Sequence, residues 1–120
     1  MIRAWVSLIH AIYLIKTRSL EQLEPLLNKR KSKCKDIWAI HEAEQAFYQI
    51  EKAKKFFFIR TACLEQSLAL YLLATSKGKS VDWCVGVRLA PFASHAWIEI
   101  KGVPFKESET VEVYEKILTI

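Results

Sequence analysis

The sequence predicts an α+β domain in which helices come first and a small antiparallel sheet follows. Three observations predict it. Apolar residues recur at helical spacing through the first half, a stretch rich in helix formers closes on Gly78, and from residue 81 the pattern changes to β-branched alternation.

In the first helix, Trp5, Leu8, Ile9, Ile12 and Ile15 mark the expected core face. "SLEQ", residues 19–22, has the Ser-x-x-Gln form of a capping box, so two helices are expected to meet near residue 18. The basic run "NKRKSKCK", residues 28–35, reads as a solvated loop. Asp36 then caps a third helix with Ile37, Ile40, Phe47 and Ile50 on one side. A fourth helix is predicted over residues 63–77, with Gly78 as its left-handed stop. Residues 81–90 form a strand with Trp83, Val85, Val87 and Leu89 on one face. Residues 95–100 and 103–107 give two more strands, and the end reads as a strand or a short helix. Nothing repeats and no linker divides the chain. Residues 1–120 are therefore one domain, with a helical part at 1–58 and a second part at 59–120.

A chain of 120 residues with 52% hydrophobic content can bury a single core. The formal charge of +5 is concentrated in residues 28–35 and 52–55. Such clusters suit a solvated face or attraction to an acidic partner; no aromatic platform or known motif accompanies them to indicate nucleic acid. The apolar run at residues 4–15 is too short to span a bilayer. Cysteines 34, 63 and 84 have no C-x-x-C spacing, and an odd count points to a reducing cytoplasm. His10, His41 and His95 have no ligand spacing, so neither metal nor cofactor is expected.

The chemistry-bearing set is Cys63, His95 and Glu107. A thiol in the first turn of a helix is favoured as thiolate by the unpaired N–H groups there. An imidazole can take its proton and later deliver it to a leaving amine, while a carboxylate fixes the imidazole tautomer. A lone cysteine in an apolar helix is more often packing, and the residues alone leave both readings open. Cys84 reads as core, and Cys34, between two lysines, as a loop thiol of lowered pKa. The hairpin decides whether Glu107 reaches His95. A three-residue loop of Ile100, Lys101 and Gly102 puts the two opposite each other. A two-residue Lys101-Gly102 turn sends Glu107 to the other face. The triad requires the former, or a bulge that compensates for the latter, and Pro104, which lacks an N–H, implies an edge strand or a bulge nearby.

Residues 61–107 resemble the transglutaminase-like leader peptidases of lasso-peptide biosynthesis. The matching elements are Cys-Leu-x-x-Ser-Leu-Ala-Leu at 63–70, Gly-Val-Arg at 86–88, Pro91-Phe92, and His95-Ala96-Trp97 followed by Glu99 and Gly102. The resemblance implies a transglutaminase- or papain-like core at residues 59–120, its nucleophile helix packed on the sheet and facing the His95 hairpin. It makes Cys63 the nucleophile, with its own N–H in the oxyanion site, His95 the base and then acid, and Glu107 the third member, with Glu109 as substitute. The family usually has aspartate at position 107 and often arginine where this chain has Gln66. The implied activity is cytoplasmic removal of a leader peptide from a ribosomal precursor, without cofactor. The implied partners are the precursor leader, a separate leader-recognition protein and an ATP-dependent lasso cyclase that takes the product; the basic run Lys29 to Lys35 is a candidate surface for the recognition protein. An amide-forming acyltransferase and a non-catalytic binding subunit are the rival readings.

Overall fold

The computed structural model describes residues 2–56, 63–89, 92–105 and 114–120, without the side chains of Ile2, Phe56, Cys63, Leu89 and Phe92. The helices are α1 (Ile2–Thr17), α2 (Leu20–Ser32), α3 (Ile40–Phe56) and α4 (Cys63–Ser76). The strands are β1 (Asp36–Ile37), β2 (Lys79–Ser80), β3 (Asp82–Leu89), β4 (Phe92–Ile100), β5 (Val103–Pro104) and β6 (Glu115–Thr119). This is the predicted α+β order, and the C-terminal segment is a strand.

The local signals act as expected at two helix ends. The Ser19 hydroxyl accepts from the Gln22 N–H at 3.3 Å, and the Gln22 side chain accepts from the Ser19 N–H at 3.1 Å, which completes the capping box. Gly78 takes φ +74° after α4, a conformation that costs glycine nothing.

The helical faces match the expected ones in part, with Leu8 and Ile50 buried and Ile12, Ile15 and Phe47 packed against the core. In α1 the buried positions are Ala4, Ser7, Leu8, Ala11 and Leu14, whereas Trp5 and Ile9 face outward. In α3 the buried stripe is Ala43, Ala46, Ile50 and Ala53, and Ile40 is exposed. Alanine and serine let helix backbones approach closely, so tight packing outweighs side-chain hydrophobicity in choosing the inner face. Asp36 does not cap α3. Asp36 and Ile37 instead pair in parallel with Lys79 and Ser80, and an Asp36–Lys79 ion pair at 3.6 Å flanks the bridge.

The basic run is also more ordered than a loop, because α2 continues through it to Ser32. Arg30 donates to the Leu72 carbonyl at 3.0 Å and to the Thr75 hydroxyl at 3.1 Å, while Lys31 pairs with Asp82. Cys34 is half-buried and its thiol donates to the Arg30 and Thr75 carbonyls at 3.5 and 3.8 Å. Burial pushes that thiol's pKa up against the opposing pull of Arg30 and Lys31, which corrects the expectation of a lowered pKa.

The main sheet has the order β5-β4-β3-β6, antiparallel throughout. Trp83, Val85, Ala96, Ile98 and Ile100 belong to the common core with α4. The Trp83 indole N–H donates to the Ser67 hydroxyl at 2.9 Å, fixing the early turns of α4 over the β3–β4 pair. Among the described residues no helix is long and apolar enough to cross a membrane.

Candidate active site

Cys63 is the first residue of α4. The first turn of a helix presents N–H groups without intrahelical partners, and their partial positive charge favours a thiolate. Position 63 lies one turn before Ser67 on the same helix face, and Ser67 bonds the sheet through Trp83. The start of α4 is thereby held against the sheet that carries His95.

A polar cluster braces this same turn. The Gln66 amide donates to Glu51 and accepts from Lys54 at 2.8 Å, while Lys54 reaches Glu51 at 3.4 Å. Gln66 thus joins the last turns of α3 to the first of α4. The cation at this junction comes from Lys54 on the neighbouring helix.

His95 lies on β4 with Gly86 of β3 as its Cα partner. Its ring stacks on Trp97 with centroids 5.5 Å apart and planes 24° apart, and a second aromatic, Tyr114, lies 5.5 Å away at 41°. Arg88 sits 5.6 Å from the centre of the Tyr114 ring. Trp97 is held in turn: its N–H donates to Glu99 at 2.9 Å, and Glu99 is ion-paired with Lys116 at 2.9 Å. Glu99 is a buried carboxylate that keeps both a hydrogen-bond donor and a countercharge.

Gly86 supplies the space for this clamp. A Cβ there would lie 2.9 Å from the Cβ of Tyr114, 3.0 Å from the Trp97 ring and 3.2 Å from the Glu115 carbonyl. The β3–β6 register shifts between Val85 and Gly86, which brings Tyr114 beside the strand. Tyr114 escaped the sequence reading; its only signal was its place just before the last alternating segment.

Two expectations need correction. Strand alternation places His95 with Trp97 and Glu99 on the face opposite Ala96, Ile98 and Ile100, so His95 does not point at the packed flank of α4. The hairpin turn, moreover, has two residues. Ile100 pairs with Val103 and Glu99 with Pro104, while Lys101 and Gly102 take φ +53° and +78°, the left-handed pair of a type I′ turn. The three-residue loop that would set Glu107 opposite His95 is not formed. Strand β5 ends at Pro104, the Phe105 N–H still donates to the Ile98 carbonyl at 3.0 Å in the same register, and Glu107 and Glu109 lie outside the described residues.

Cys84 is fully buried, as expected of a core residue, and burial followed by the nearby Glu99 pushes its pKa up to about 11. Among the described residues no group of three or more His, Cys, Asp or Glu is gathered to hold a metal ion.

No curated protein and no solved structure matches the chain. A family model does, the one described as transglutaminase-like superfamily, over residues 5–119. That span takes in α1 as well as the cysteine helix and the sheet, and the family's chemistry is that of cysteine proteases and acyltransferases. A cysteine opening a helix, a clamped histidine on the adjoining sheet and a match over nearly the whole sequence lead to one conclusion: the chain belongs to the transglutaminase-like superfamily.

Proposed function

We propose that this protein is a cytoplasmic cysteine peptidase that removes the leader from a lasso-peptide precursor. The observation that carries the reading is the position of Cys63 as the first residue of α4, a helix tied to the sheet in which His95 is clamped. The ordered motifs from Cys63 to Gly102 support the choice of lasso precursors within the superfamily's chemistry.

In the proposed cycle His95 takes the Cys63 proton, and the thiolate attacks the carbonyl at the end of the leader. The oxyanion is held in part by the Cys63 N–H. The carbon–nitrogen bond breaks, His95 returns its proton to the departing core amine, and the leader remains as a thioester. Water, deprotonated by His95, cleaves that thioester and restores the thiol. The two-residue turn does not by itself set Glu107 opposite His95, so the resemblance alone supports Glu107 as the acid that orients the imidazole, with Glu109 as the substitute. No cofactor takes part. A separate recognition protein presents the leader, and the freed amine is the nucleophile for an ATP-dependent cyclase.

Product mass tests the reaction class. Precursor incubated with this protein and the recognition protein is expected to give leader and core fragments whose masses sum to precursor plus one water. A product carrying a new amide to an added amine, with no free leader carboxylate, would replace hydrolysis by acyl transfer.

A further inference from the structure

Helix α1 has a second apolar stripe that the fold leaves uncovered. Val6, Ile9 and Tyr13 are 52%, 43% and 58% exposed, on the side away from the buried alanines. His10 borders three adjoining depressions of about 400, 350 and 360 Å³. One runs along the α1 stripe. Another has Leu14, Leu26 and Leu27 as its floor and Lys29, Arg30 and Lys33 at its edge, and the third adds Arg3.

Among the described residues no acidic side chain lines any of the three. The basic run is divided between two directions: Lys31 turns to Asp82 and is neutralised, whereas Arg30 bonds only the neutral Thr75 hydroxyl and Leu72 carbonyl among the described residues. Arg30 therefore keeps its charge beside the depressions. His10 registers this setting, its pKa lowered by burial and then by Arg30.

We propose that this groove docks an acidic amphipathic segment of a partner protein, with apolar side chains entering the depressions along α1 and carboxylates meeting Lys29, Arg30 and Lys33. Charge complementarity selects acid, and the apolar floor selects a segment that also carries hydrophobic side chains. A nucleic-acid backbone would meet the cations and leave the α1 stripe bare. A bilayer would lie against a convex helix, whereas here the cations line recesses between α1, α2 and the end of α4. The groove includes Thr75 and Ser76 at the C-terminal end of α4, opposite the end that begins with Cys63, so the inference does not depend on the peptidase chemistry, although its basic edge is the run expected to meet the leader-recognition protein.

The test uses a fluorescein-labelled helical peptide of about 14 residues, roughly 20 Å long, with leucines on one face and glutamates on the other. A second peptide has lysine in place of each glutamate. Anisotropy is expected to show the glutamate peptide binding at least tenfold more tightly, with affinity falling as salt rises. Lys29→Glu/Lys33→Glu and, separately, Ile9→Ser should each weaken it about tenfold while unlabelled thermal melts show an unchanged fold. Equal affinity for the two peptides overturns the proposal, as does wild-type affinity in both variants. So does tight binding of phosphatidylglycerol vesicles or a single-stranded oligonucleotide that excess glutamate peptide fails to displace.

Discussion

Gly86 stands directly across the β3–β4 ladder from His95, and its lack of a side chain creates the space in which Trp97 and Tyr114 hold the imidazole. A methyl group at position 86 would press on the Tyr114 Cβ, the Trp97 ring and a backbone carbonyl together. Gly86→Ala is expected to destabilise the fold by about 1–3 kcal/mol through overpacking. It should also change the near-ultraviolet circular dichroism of the two aromatics and lower precursor processing more than the loss of folded protein explains. Wild-type stability and spectrum in this variant would refute the tight clamp.

The Glu51–Lys54–Gln66 cluster is expected to act as one unit at the start of α4. Lys54→Ala and Gln66→Ala should each cost about 1 kcal/mol in urea melts, and the double variant less than their sum. Strict additivity in that cycle would show that the two side chains act independently. Because the cluster braces the turn that carries Cys63, both variants should lower kcat more than they raise KM.

Cys84 gives the alkaline limit a specific origin. Its thiol has a pKa near 11 in the folded protein against an ordinary 9.0, so the unfolded chain loses this proton first. The stabilisation is present below pH 9 and is lost as pH rises through about 11. Urea midpoints should fall across that interval, and Cys84→Ala should fall less steeply. Tyr71, whose hydroxyl bonds the Leu27 carbonyl and whose pKa burial also raises, contributes in the same direction and leaves a residual slope. A Cys84→Ala profile identical to wild type would remove Cys84 from the account.

The helices and their ends were legible because their signals are local: a Ser-x-x-Gln box, a glycine stop, a 3.6-residue period. The inner faces of α1 and α3 were legible only in part, at Leu8, Ile12, Ile15, Phe47 and Ile50, since alanine carries little hydrophobic signal and its advantage is the closeness of another helix. The β1–β2 pair joins residues more than forty positions apart, and two-residue strands leave no pattern to read. The hairpin turned on Lys101. With only one glycine in the loop, a single left-handed position was the natural expectation, but the ladder holds a lysine at φ +53° as well. In the candidate site, the helix-opening position of Cys63 and the strand position of His95 were legible. Its aromatic clamp was not, because Tyr114 reaches His95 through a register shift on a strand distant in sequence.

The most direct measurement of the central claim compares wild type with Cys63→Ala on the same precursor, with the recognition protein supplied and products followed by mass spectrometry. The folded variant is expected to leave the precursor intact while wild type releases leader and core. Cleavage by Cys63→Ala at the wild-type rate would contradict a mechanism that runs through this thiol.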